Sequence, residues 1–128
     1  MKVLIVDDDE MISDLWAIAL KKEGYEVLTA MSGKDGLVQA KAKMPELILI
    51  DQIMPDMKGN DLLRMLKDDQ QTKVIPVAVV SNYNESQLMQ DAIQAGAVDY
   101  ILKYQIEPLD LVNKIKTLTQ AAPAPSNT

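Results

Sequence analysis

Five short runs of Val, Ile and Leu, each followed by a segment of helical period, constrain this chain more than any other feature. The runs are Lys2–Val6, Tyr25–Thr29, Leu47–Ile50, Val74–Val80 and Val98–Leu102. Runs this short, bounded by turn residues and rich in β-branched side chains, read as strands rather than buried helices. Strand–helix alternation repeated five times predicts a parallel sheet with helices on both faces. Right-handed crossovers then bring the C-terminal end of every strand to one edge, where sheets of this kind bind their ligands.

The helical segments carry their own punctuation. Met11, Leu15, Ile18 and Lys22 fall on one stripe with Ile12, Trp16 and Ala19 beside it. Leu88, Met89, Ala92, Ile93 and Ala95–Gly96 make another, and Leu111, Val112, Ile115 and Leu118 a third. Gly24 and Gly96 stand where helices should stop, Ser32 and Asn84 where they should start, and Pro108 at a first helical position. The Pro/Ala-rich stretch 121–128 has no period and reads as a tail or linker, leaving residues 1–120 as one folded domain.

Composition narrows the chemistry. The chain has neither cysteine nor histidine, which excludes disulfides, thiol nucleophiles and imidazole catalysis and leaves carboxylates and hydroxyls. A net charge of −6 with a single arginine, Arg64, argues against nucleic-acid binding. No apolar run approaches the roughly 20 residues a membrane helix needs. The apolar stretch MKVLIV is cut short by Asp7, Asp8, Asp9 and Glu10, so it is no signal peptide, and a cytoplasmic protein is expected.

The residues at the ends of the strands are more telling. The first run ends in Asp7-Asp8, the third in Asp51, the fourth in Ser81, and the fifth reaches Lys103. The second ends in Ala30-Met31 and offers no reactive group. Two carboxylates about 5 Å apart at an effective dielectric near 20 repel by roughly 3 kcal/mol. Three of them are not balanced by one ammonium. A hard, oxygen-seeking cation resolves the excess, and Mg²⁺, which keeps several waters and favours phosphate-holding sites, suits best, with Mn²⁺ as a substitute. Such a site beside a carboxylate able to act as a nucleophile points to phosphoryl transfer, with Ser81 and Lys103 placed to hold phosphoryl oxygens.

The segments VDDD, LILIDQIMPDMKG, PVAVVS and AGAVDYILK, in register at four strand ends, resemble the receiver domain of bacterial two-component response regulators. The resemblance covers residues 1 to about 120. It implies a CheY-like, flavodoxin-like α/β fold, a doubly wound sheet of order 2-1-3-4-5, in which strands 1, 3 and 4 are neighbours. It also implies roles for single residues. Asp51 would be the phospho-acceptor, supplied by a sensor histidine kinase, a phosphotransfer protein or a small acyl phosphate. Asp8, Asp51 and the backbone carbonyl of Ile53 would hold Mg²⁺, with Asp7 acting directly or through water. Lys103 and Ser81 would bind the phosphoryl group, and Ser81 and Tyr100 would form the switch. No external substrate would be turned over.

Four positions depart from the family or bear on its chemistry. Tyr104 follows the lysine where proline is usual, and since a cis bond before a non-proline costs about 3–4 kcal/mol, a trans Lys103–Tyr104 peptide is expected. Asn82 replaces a small residue and narrows access to Asp51. Ile53 and Tyr83, bulky residues each two positions past a key residue, flank the path of a hydrolytic water, which predicts slow self-dephosphorylation. The surface of helix 4, strand 5 and helix 5 lacks the arginines that pair across receiver dimers, so a monomer docking on an unknown downstream protein is expected.

Other readings fit less well. A Mg²⁺-dependent phosphohydrolase would need a second acid, for which Asp56 is the only loose candidate, and a cap over its substrate. A flavin-binding domain would need a Ser/Thr/Gly-rich loop after the first strand, where four acids stand. A metal-free, binding-only receiver would lack an acid or the lysine, and none is missing. Singly, the bland readings hold: Asp7–Asp9 as a helix cap, Ser81 and Asn82 as turn residues, Lys103 as a surface lysine, Tyr100 as packing.

Overall fold

The computed structural model describes residues 1–82, 86–103 and 105–121, with the backbone alone for 120 and 121. The strands are β1 (Lys2–Val6), β2 (Glu26–Ala30), β3 (Leu47–Asp51), β4 (Val77–Ser81) and β5 (Asp99–Leu102), all parallel, in the order β2-β1-β3-β4-β5. The helices are α1 (Glu10–Lys22), α2 (Gly33–Lys43), α3 (Gly59–Asp68), α4 (Ser86–Gln94) and α5 (Pro108–Ala121). This is the doubly wound α/β fold that the alternation predicts, with β2 and β5 as outer strands.

Because side chains alternate along a strand, the two sheet faces bury separate cores. On one, Leu4, Val6, Ile48, Ile50, Val77 and Val79 pack with α3 residues Leu62, Leu63 and Leu66 and with Ala92 of α4. On the other, Val3, Ile5, Leu47, Leu49 and Val80 meet Trp16 and Leu20 of α1 and Leu111, Val112 and Ile115 of α5. β3 and β4 are buried along their whole length, which is why their sequences read as continuous apolar runs.

Local signals place the helix ends. Asp9 caps α1 by accepting the Ile12 N–H at 3.3 Å, and Ser32 caps α2 by accepting that of Asp35 at 3.1 Å. Gly24 (φ +92°) and Gly96 (φ +110°) supply the left-handed turns after α1 and α4.

Some boundaries and faces differ from the sequence reading. The fourth run begins pairing only at Val77: Pro76 has no N–H to donate, and its carbonyl accepts from Ile48 at 3.0 Å. The Lys67 ammonium binds the carbonyls of Lys73 (3.1 Å) and Ile75 (2.7 Å), holding that segment against α3 and leaving Val74 in solvent. In α1 the stripe Met11, Leu15, Ile18 faces outward, with Met11 83 % exposed. Trp16, Ala17 and Leu20 are the buried side, because apolar residues occupy more of this helix than the sheet and α5 can cover. Helix α5 includes Ala121, the first residue of the expected tail. The rest of that tail, the Asn84 helix start, Tyr83 and the Lys103–Tyr104 peptide lie outside the described residues.

Candidate functional site

The C-terminal edge of the sheet gathers the acids and the lysine that end the strands. Adjacent registers of β1 with β3 and β3 with β4 bring the ends of these strands together. Oxygens of Asp7, Asp8 and Asp51 lie within 4.8 Å of one another, with Asp7 and Asp51 buried and Asp8 exposed. Lys103, only 4 % exposed, enters from the end of β5. Its Nζ lies 2.9 Å from Asp7 Oδ2 and 3.5 Å from Asp51 Oδ1, so it bridges the two buried acids and favours the first. Asp9, which caps α1, also reaches toward it at 4.0 Å and donates its N–H to Asp7 Oδ1 at 2.8 Å.

Ser81 ends β4, fully buried, and its carbonyl accepts the Lys103 N–H at 2.8 Å. Asn82 and Ile53 are exposed at the rim. Tyr100 is partly buried and packs on the core beneath α3 and α4.

The electrostatics follow from crowding. Burial first, then the charges of Asp7 and Asp8, push the Asp51 carboxyl from 3.8 up to about 7 against the pull of Lys103. Burial likewise raises Asp7, offset by the Asp9 N–H and by Lys103. An acid whose folded pKa is raised stabilises the fold while protonated, and that stability is lost as pH rises through the raised value. In chelator, the urea midpoint should therefore fall as pH goes from about 4 to 7. Asp56 and Asp69, whose carboxyls are held low by backbone N–H groups, act only below that window. A midpoint that rises across it would show that Asp51 is not destabilised by its neighbours.

The donor set fits a hard cation. All three side chains offer carboxylate oxygen, and Asp7 Oδ2 is buried with no donor in hydrogen-bond geometry, although the lysine charge is close. Oxygen ligands of this kind, partly open to water, suit Mg²⁺.

The family of sequences described as response regulator receiver domain matches residues 3–116. The chain belongs to this family. Protein PilH of Pseudomonas aeruginosa is 32 % identical over 117 residues, covering 91 % of this chain and 93 % of PilH. Response regulator PleD of Caulobacter vibrioides is 35 % identical over 119 residues, 93 % of this chain but 26 % of PleD. The chain thus spans about a quarter of that regulator, and half of the phosphate regulon regulator PhoB of Pseudomonas aeruginosa. Among solved structures, a CheY-like receiver domain protein of Methanospirillum hungatei superposes with a TM-score of 0.89 at 33 % identity, over 95 % of both chains. Receivers are signalling domains rather than enzymes with an external substrate, and they typically bind Mg²⁺. Among the described residues of this receiver, no helix is long and apolar enough to cross a membrane.

Two features of the receiver escaped the sequence reading. Asp56 does not approach the acids. Its carboxylate accepts the N–H groups of Gly33 and Lys34, both at 2.9 Å, so it caps α2 from the loop after β3. Those two bonds hold its carboxyl below the usual carboxylate range, so it is no reservoir of protons for a leaving group. Gln52 and Asn60 look like surface amides in the sequence, yet both are buried and bonded to each other.

Proposed function

We propose that this receiver accepts a phosphoryl group on Asp51 and uses the change in charge to switch a protein-binding face. One observation carries the reading: Asp7, Asp8 and Asp51 share a cluster at the sheet edge, and a buried lysine bridges two of them. An Asp51 oxygen attacks the phosphorus of a phosphohistidine or acyl phosphate. The P–N or P–O bond breaks, and its electron pair leaves with the imidazole or carboxylate. Asp7, Asp8, Asp51 and the Ile53 carbonyl hold Mg²⁺, which when bound supplies positive charge for the phosphoryl oxygens. Lys103 turns from Asp7 toward the new phosphate, Ser81 donates to it, and Tyr100 follows Ser81 inward, a local charge change biasing a two-state element.

A histidine kinase or phosphotransfer protein is the donor, and the face of α4, β5 and α5 is where a monomer docks on its downstream protein in the cytoplasm. Intact-mass measurement after incubation with Mg²⁺ and acetyl phosphate tests this. A phosphoryl-sized gain is expected for the native chain and none for Asp51→Asn. An equal gain in both would move the acceptor elsewhere, and no gain in the native chain would end the proposal.

Self-dephosphorylation is slow, because neither Ile53 nor Tyr83 is an acid or amide able to orient water. Changing them together to Asn and Glu should shorten the phosphoryl half-life severalfold, followed by loss of the mass gain with time. An unchanged half-life would place control of hydrolysis elsewhere.

A further inference from the structure

The residue after Asp51 begins a chain of buried amides that reaches α4. Gln52 is fully buried, and its side chain points into the face covered by α3 and α4, opposite in parity to Asp51. Its Oε1 accepts the backbone N–H of Asn60 at 2.9 Å, and its Nε2 donates to Asn60 Oδ1 at 3.0 Å. Asn60, 5 % exposed, donates from Nδ2 to the carbonyl of Leu88 in α4 at 3.4 Å.

The main chain reinforces this connection. Lys58, at the cap position of α3, makes no capping bond with its side chain. The Gln52 carbonyl takes the Gly59 N–H at 2.7 Å instead, and the Gln52 side chain takes the next N–H, so the end of β3 caps α3. Gly59 lets the helix come this close, since a Cβ there would lie 2.6 Å from the Asp51 carbonyl oxygen.

Two amides beside a core of aliphatic side chains are an expensive way to fill space. What they add over leucine is direction: each bond fixes one element relative to the next. At 3.4 Å the Asn60–Leu88 bond is the longest of the set, so the tie between α3 and α4 is the one most easily altered.

We infer that Gln52 and Asn60 are positioning residues that couple Asp51 to α4, by a route through α3 separate from Ser81 and Tyr100. A displacement of the Asp51–Gln52 peptide moves the cap of α3 and, through Asn60, the first turn of α4. The inference rests on Asp51 being the phospho-acceptor.

Amide hydrogen exchange of residues 86–94, with and without Mg²⁺ and acetyl phosphate, tests it in the native chain and in Gln52→Leu/Asn60→Leu. Phosphorylation should change α4 exchange in the native chain and by less than half as much in the double variant, at equal phosphorylation by mass. The same response in both, or no α4 response in a phosphorylated native chain, would overturn the inference. Failure of the native chain to gain phosphate would instead sink the acceptor reading. A second measurement needs neither phosphate nor the double variant. In the unmodified protein, Gln52→Leu alone should speed α4 exchange severalfold, although the Gln52 side chain bonds to Asn60 of α3 and not to α4. If exchange rises in α3 alone, the chain of amides ends there and the coupling is refuted.

Discussion

Replacing Lys103 with methionine should destabilise the metal-free protein by about 3–5 kcal/mol at pH 8, the usual result of removing one partner from a buried ion pair. The ammonium is nearly inaccessible, lies 2.9 Å from Asp7 and 3.5 Å from Asp51, and holds both acids in the interior. Methionine keeps much of the stem and its packing, so the loss reports charge. The pH dependence separates the two. Below about 7 Asp51 takes up a proton, so one negative charge is relieved without the lysine and the penalty shrinks. Urea melts at pH 5 and pH 8 in chelator should show the larger loss at pH 8, and Mg²⁺ should recover part of it. Equal losses at both values would mean that the charge on Asp51 adds nothing to the penalty.

Gly59→Ala should cost roughly 2–3 kcal/mol, although alanine is the better helix former by about 1 kcal/mol. The added Cβ would lie 2.6 Å from the Asp51 carbonyl oxygen, 2.9 Å from Gln52 Cα and 3.1 Å from Asp51 C. All three are main-chain atoms of the strand end that carries the reactive acid, so no rotamer change relieves the contact. α3 must back away or the Asp51 peptide must turn, and either movement disturbs the acid cluster. Urea denaturation gives the stability, and the rate of mass gain with acetyl phosphate gives the effect on Asp51. A more stable variant would mean that α3 does not approach β3 so closely.

The strands and the parallel sheet were legible because the pattern that encodes them is local: short aliphatic runs, turn residues, and an acid or a lysine at the end; the order of the strands came from the family resemblance. The placement of Asp7, Asp8, Asp51, Ser81 and Lys103 at one edge could be anticipated for the same reason, each lying at a strand end. The side of α1 that faces the core was not legible. Met11, Leu15 and Ile18 are as apolar as Trp16 and Leu20, and only the position of the sheet and α5 decides which set is covered. Polar residues with distant partners were hidden too. Asp56 finds its donors at Gly33 and Lys34, more than twenty positions away, and Asn60 reaches Leu88 across two helices. Acidic and amide side chains in a loop read as solvent-facing until the fold shows what they touch.

The outer strands have a consequence for handling the protein. β2 and β5 are five and four residues long, and each opens on an acid, Glu26 and Asp99. Short margins that begin with negative charge are poor templates for strands from other molecules. Concentrated solutions near neutral pH should therefore resist edge-to-edge aggregation, and that protection should weaken toward the isoelectric point near 4.5, where the repulsion between chains fades.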